Sequence, residues 1–214
     1  ADSALAAELD TTPRSLFGYM LPNTYRIYWN TPAEGIVRRL KGEFERSYTK
    51  RMAARADSIG LTREEVLTLA SIVQWEASGY GEQRAVAGVY LNRLEDGMLL
   101  QADPTVQYAI WKKTGRRKNR LLYEDYETEH PYNTYLHAGL PPGPITNPSL
   151  HTIRAVLNAE DHEYRFFVAT GDGGHVFSRT FEEHRDAAAD YRREMRRRRA
   201  EEETAAETEA AEEN

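Results

Sequence analysis

The chain has 214 residues, 40% of them hydrophobic and none of them Cys; that is enough apolar material for one good core, and it excludes disulfides, thiolate zinc sites and cysteine nucleophiles. The net charge of −6 belongs to one end: residues 201–214 carry seven Glu and no Lys or Arg, and Arg192–Arg199 before them holds six Arg and one Glu. No apolar run is long enough to span a membrane, and no basic, apolar, small-residue leader opens the chain, although numbering from Ala1 without Met leaves room for an anchor or signal upstream.

In chain order, a short strand is expected around Thr24–Trp29. Thr31-Pro32-Ala33-Glu34 then reads as a cap, a first-turn proline and an acidic third position, opening a helix that runs to about Arg55. Thr62-Arg63-Glu64-Glu65 repeats the capping box before Val66, Leu69, Ala70 and Val73, which recur at helical spacing, and Gly79 follows as a stop. A further helix covers about Glu82–Glu95, with Val86, Val89, Tyr90 and Leu94 on one face and Gly97 as terminator. Asp103-Pro104 and Asn147-Pro148 start helices near Thr105–Lys113 and Ser149–Ala159. Tyr164–Thr170 and His175–Ser178, joined by Gly-Asp-Gly-Gly, read as a hairpin. These elements make an α+β fold, a mostly helical domain with a small antiparallel sheet, and show none of the βαβ repetition of nucleotide-binding folds.

Charge segregation at the end reads as an Arg-rich terminal helix over 186–200 and a solvated acidic tail over 201–214, disordered or loosely helical. No basic stripe interleaved with aromatics accompanies the Arg run, so no nucleic-acid partner is expected. Six His without Cys, and no His-Glu-x-x-His helix, speak against a metal site. No Gly-x-Ser-x-Gly element points to serine hydrolysis, and no cofactor is expected.

Five of the nine prolines fall between Pro131 and Pro148, together with Tyr132, Asn133, Thr134 and Tyr135. Such a segment cannot be a helix or a central strand, and rigid connections that carry polar and aromatic groups are usually binding surfaces. Glu76 is the second unusual feature. It follows Leu69, Ile72 and Val73 at helical spacing, so it lies on the face those residues bury. Burial raises a carboxyl pKa and yields an acid that keeps its proton near neutrality, as protonation of a glycosidic leaving group requires. The plainer alternative is a Glu at a helix end paired with Arg84 or Arg93.

Several longer motifs follow one another in order. Leu69–Glu76, Val86–Leu94, Gly97-Met98 and Leu100–Val106 are followed by Pro131–Tyr135, Gly139–Ile145, Asn147-Pro148 and Gly171–Ser178, with Tyr19–Tyr25 ahead of them. Over roughly residues 17–185 this resembles the MltG (YceG-like) family of endolytic murein transglycosylases. The resemblance implies an envelope enzyme that cuts peptidoglycan glycan strands internally between N-acetylmuramic acid and N-acetylglucosamine, leaving 1,6-anhydro ends, with its catalytic Glu at Glu76. It also implies a single N-terminal membrane helix facing the periplasm or cell exterior and a LysM-like domain, neither present in full here, and cell-wall synthases as further partners. On that basis residues 1–30 are a linker left from the LysM-like region and 31–185 the catalytic domain. Gln74 and His130 depart from the family pattern, which usually has an acidic residue and a Ser there.

In the implied mechanism one carboxyl group serves twice, so no second carboxylate is needed. Asp103 is the rival for such a second role, although N-capping at Asp103-Pro104 accounts for it. Substrate contacts are expected from Gln101, Asp103, Tyr132, Asn133, Thr134 and Tyr135, with Asn133 foremost, and from His175 and Ser178 beyond the Gly-rich turn. Two other functions stay open: a muramidase hydrolysing the same bond, with Asp103 as base, and a non-catalytic peptidoglycan-binding or scaffold module.

Overall fold

The computed structural model describes residues 3–171 and 174–212, with residue 199 and residues 201–212 described by backbone alone. Two compact units divide the chain at Asp161/His162.

In the first unit, Ser3–Glu8 (α1) and a 3-10 turn at Leu16–Tyr19 bury Leu5, Leu16 and Tyr19. Within the segment expected as a linker, Leu5, Ala6, Leu16, Tyr19 and Leu21 are buried. Tyr19 packs edge-on against Phe44, ring centres 4.8 Å apart. Thr24–Trp29 forms no strand: Trp29 is 97% exposed, and the segment has no partner strand to share its backbone hydrogen bonds. The helix expected to run to Arg55 is two helices, Ala33–Ser47 (α2) and Lys50–Ser58 (α3). Thr49 adopts extended backbone and its hydroxyl caps the N–H of Met52, which ends one helix and starts the next.

Thr62 then builds the expected capping box with Glu65 and opens Arg63–Glu76 (α4). Every residue from Val66 to Val73 is buried, so α4 is apolar nearly all round and lies at the centre of the unit. Leu67, Leu69 and Ile72 are inaccessible, each contributing about 1.5–3 kcal/mol relative to exposure. Around α4 pack Tyr80–Glu95 (α5) and Leu150–Leu157 (α7), with Asp103–Thr114 (α6) on another side. Gly79 caps the start of α5 and does not stop α4, which ends at Ala77 in extended backbone. Gly97, at φ +67°, takes the left-handed position that follows a helix C-terminus.

The Pro-rich loop is anchored onto this core. Ile145 N–H donates to the hydroxyl of Ser71, inside α4, at 2.9 Å. Asn147 Nδ2 donates to Met20 O at 3.0 Å. Pro144 lies so close to Gly18 that a Cβ there would meet its Cγ at 2.5 Å, so only glycine admits the contact.

The second unit pairs Phe166–Ala169 (β1) with His175–Ser178 (β2) as an antiparallel hairpin in the register Phe166 to Ser178 and Ala169 to His175. Asp172 and Gly173 of its turn lie outside the described residues. Phe181–Glu212 (α8) packs on both strands, with Phe166 against Phe181 and His184. No boundary separates a basic helix from an acidic tail near 200: the backbone stays helical to Glu212, because Ala and Glu, which fill that stretch, are strong helix formers. Arg197 and Arg198 bind Glu194 one turn away, and Arg193 binds Asp190, so part of the Arg run is paired within its own helix. The mostly helical α+β class holds. No helix among the described residues is long and apolar enough to cross a membrane.

Candidate active site

Glu76 is the last residue of α4, on the face that packs into the core, and its side chain is only partly reachable by solvent. Its partner comes from α5. Tyr90, fully buried among aliphatic residues, donates its phenol O–H to Glu76 Oε1 at 2.9 Å. The carboxyl is pushed up to about 7: loss of solvation raises it most, the Tyr90 hydrogen bond pulls it back, and the Asp103 carboxylate raises it further. A helix C-terminus also disfavours an added negative charge. Neither Arg84 nor Arg93 supplies the structural pairing that was the plainer alternative. Arg84 reaches Asn158 O and Glu160, and Arg93 donates to the carbonyls of Leu99 and Leu100 at 3.2 and 2.8 Å.

By holding Leu99 and Leu100, Arg93 shapes the turn that carries Gln101 and Asp103. Gln101 sits at φ +50°, a left-handed backbone that costs a side-chain-bearing residue about 1 kcal/mol, and its N–H donates to Thr134 O at 3.1 Å. Asp103 is not the N-cap it was expected to be. Ala102 caps α6 and Asp103 is its first helical residue, with its side chain free to turn outward. There Tyr135 donates to Oδ1 at 2.6 Å and Tyr126 to Oδ2 at 3.3 Å, the two rings 4.5 Å apart. Burial and the adjoining Asp103 carboxylate push the Tyr135 phenol up strongly, so it stays a donor.

The Pro-rich loop divides its residues between scaffold and site. Asn133 is fully buried; its amide donates to Tyr126 O and Thr128 O, both at 2.9 Å, and its Oδ1 accepts Tyr135 N–H at 3.0 Å. Every group expected to greet a sugar is thus spent on the loop itself. Thr134 is spent likewise: its hydroxyl accepts Ala102 N–H at 3.0 Å and meets Thr105 Oγ1 at 2.8 Å, locking the loop to the start of α6. Tyr132 packs on Tyr108, ring centres 4.7 Å apart, and is buried with its phenol pushed up to about 12 by desolvation. Tyr135 alone of the four is hydrogen-bonded to a carboxylate, that of Asp103. Gln74 accepts Ser149 N–H at 2.6 Å and the Thr152 hydroxyl at 3.2 Å, tying α4 to α7.

His175 and Ser178 belong to the second unit. His175 packs edge-on against Phe167 at 5.3 Å, and Ser178 is buried, its carbonyl accepting Arg165 N–H at 3.0 Å. The site residues missed in the sequence are Tyr90 and Tyr126, and the signal for Tyr90 was present: a Tyr in an aliphatic stripe needs a partner for its hydroxyl, and so does a Glu on a buried face.

Two concave surfaces lie on this unit, and neither is lined by Glu76 or Asp103. One is lined by Trp75, Pro104, Tyr108 and Trp111 among others, and Trp75 and Trp111 are 54% and 37% exposed. Trp75 and Pro104 in its lining are the sequence neighbours of Glu76 and Asp103. No group of three His, Cys, Asp or Glu side chains that could hold a metal ion occurs among the described residues.

A sequence model of the YceG-like family matches residues 2–190. The chain is 35% identical over 178 residues to an endolytic murein transglycosylase of Bacillus subtilis, and 32% identical over 175 residues to one of Streptococcus pneumoniae, covering 82% and 80% of the chain. It spans 48% and 31% of those two proteins' lengths. A crystal structure of a yceG-like protein from Listeria monocytogenes superposes with a TM-score of 0.75 at 31% identity, covering 86% of this chain and 64% of that one.

Proposed function

The chain belongs to the YceG-like family, and from that premise we propose that it is a lytic enzyme acting on peptidoglycan at the cell envelope, cutting glycan strands internally with Glu76 as acid and then base. The observation that carries this reading is the half-buried Glu76 carboxyl, raised to about 7 and hydrogen-bonded by Tyr90. Such a group holds its proton near neutrality and still has a donor waiting to stabilise the carboxylate it becomes.

The steps balance without water. Glu76 gives its proton to the bridging oxygen as the bond from the muramic C1 to that oxygen breaks, releasing the next sugar's 4-hydroxyl. The Glu76 carboxylate then takes the proton of the muramic C6 hydroxyl while O6 attacks C1, closing the 1,6-anhydro ring and restoring the acid. Positive charge gathers at C1 in between, and Asp103 supplies a negative charge close enough to Glu76 to affect it. The exposed face of Trp75 suits a sugar ring.

A muramidase would use Asp103 as base or nucleophile on water or on C1. Both Asp103 oxygens already accept phenol hydrogen bonds, so neither is left open to orient a water, which favours the lytic route. Mass spectrometry of products from peptidoglycan strands separates the two by one water. Anhydro ends that disappear in Glu76→Gln support the proposal; reducing ends, or unchanged release by Glu76→Gln, defeat it.

A further inference from the structure

The two concave surfaces share Tyr108, Trp111, Arg117, Ile145 and Thr146, so they form one groove that starts at Trp75 and Pro104 and ends at Arg14, Lys112 and His130. Its charge is one-sided. Arg14, Lys112, Arg117 and Lys118 line it and no Asp or Glu does, on a chain whose net charge is −6. Lys118 is paired with Asp125 at 2.7 Å. Arg14, Lys112 and Arg117 are exposed and form no ion pair among the described residues. Lys112 and Arg117 both sit over the Trp111 ring, at 5.8 and 5.6 Å from its centre, which fixes two cations along one aromatic wall. Surface cations usually find carboxylates nearby, and a groove that gathers them with none concentrates a positive field inside apolar walls.

We propose that this groove receives the acidic stem peptide carried by the muramyl sugar, so that the substrate is a peptide-bearing strand and not bare glycan. The inference rests on the reading of Glu76 as the cleaving group. Position supports it: the groove is lined at one end by Trp75 and Pro104, the chain neighbours of Glu76 and Asp103, within reach of a lactyl substituent on a sugar bound at those acids. A stem of four or five residues reaches about 13–18 Å when extended, at about 3.3–3.6 Å per residue. Its carboxylates meet Arg117, Lys112 and Arg14, while its alanine methyls lie against Trp111, Tyr108 and Ile145.

The test uses glycan strands with their peptides and the same strands stripped by an amidase, titrated by fluorescence anisotropy against the non-cleaving Glu76→Gln chain. The expected result is at least tenfold tighter binding of the peptide-bearing strand. That preference is lost when Lys112→Gln and Arg117→Gln are added, weakened by high salt, and kept when Arg117→Lys preserves the charge. Equal binding of both strands, binding of neither, or a preference indifferent to the double substitution overturns the proposal. Cleavage is scored separately with the wild-type chain. If stripped and peptide-bearing strands are cut equally well to anhydro ends, the groove proposal falls and the lytic reading stands; if a binding preference persists and neither strand is cut, the lytic reading falls alone.

Discussion

The two ends of the site hold the same chemical group in opposite settings. At the C-terminus of α4, Glu76 is half-buried, sits where a helix disfavours negative charge, and has one phenol donor at 2.9 Å. At the N-terminus of α6, Asp103 is exposed, sits where a helix favours negative charge, and has two phenol donors. The proposed mechanism gives the two carboxyl groups different work, and their surroundings differ accordingly, with tyrosines on both sides. The difference teaches that identity as a carboxylate says little, and that solvent, helix end and donor count assign the work.

The largest effect that bears on this contrast is the loss of each carboxylate in turn. Glu76→Gln is expected to lower kcat by about 10³-fold or more, the size of a lost acid-base group, with substrate binding retained. Asp103→Asn keeps shape and one acceptor oxygen, and should cost about tenfold. Single-turnover measurements on purified strands check both. Equal losses would erase the distinction between the two ends.

Stability carries the second effect, through linkage. The Glu76 carboxyl is raised from 4.5 to about 7 in the folded chain, so the fold prefers its neutral form. The stability this gives is fully present below pH 4.5 and is lost as pH climbs through about 7. Discounted for partial exposure, the loss amounts to about 1–2 kcal/mol. Glu76→Gln stays neutral at every pH, so it should match the wild type at pH 4 and melt higher at pH 8 by about 2–8 °C. A Glu76→Gln chain that melts lower at pH 8 would show that the carboxylate is welcome where it stands.

Opposite movements of the pH profile come next. The proposed mechanism requires protonated Glu76, so activity is expected to decline on the alkaline side through about 7. Tyr90→Phe removes the bond that favours the carboxylate and should shift that limb to higher pH, whereas Asp103→Asn removes a like charge and should shift it lower. Each shift is expected to be about half a unit to one unit. A pH series of kcat/KM for the three chains reads both signs at once, and movement in a common direction would contradict the electrostatic account.

The sequence makes some of this visible and hides the rest for identifiable reasons. Thr62 and Glu65 form the capping box, and Glu76 lies on a buried face, because both depend on spacing within one helix. The break at Thr49 was hidden, since a helical pattern continues across it and only the cap reveals two axes. Asn133 shows the limit most clearly. Its chemistry suits an N-acetyl group, and nothing local reveals that Tyr126 O and Thr128 O take its amide nitrogen and Tyr135 N–H its oxygen. The place of Asp103 before Pro104 suggests a cap, but the helix begins one residue earlier, and Tyr126 and Tyr135, which claim its side chain, lie more than twenty residues along the chain.

Within the Asp103 end the two phenols are unequal, and this gives the finest comparison. Tyr135 donates at 2.6 Å to one oxygen and is held in place by Asn133, whereas Tyr126 donates at 3.3 Å to the other. A short bond to a charged acceptor contributes about 1.5–3 kcal/mol, and a long one falls well below that. Tyr135→Phe should therefore free an Asp103 oxygen and reduce kcat/KM several-fold, while Tyr126→Phe should change it by less than about twofold. Tyr135→Phe should also let Asp103 act on water, so a trace of reducing ends beside the anhydro product is the accompanying signature in mass spectrometry. If Tyr126→Phe were the more damaging of the two, the bond lengths would not be ranking the donors, and Asp103 would be positioned by packing of the paired rings and not by the shorter hydrogen bond.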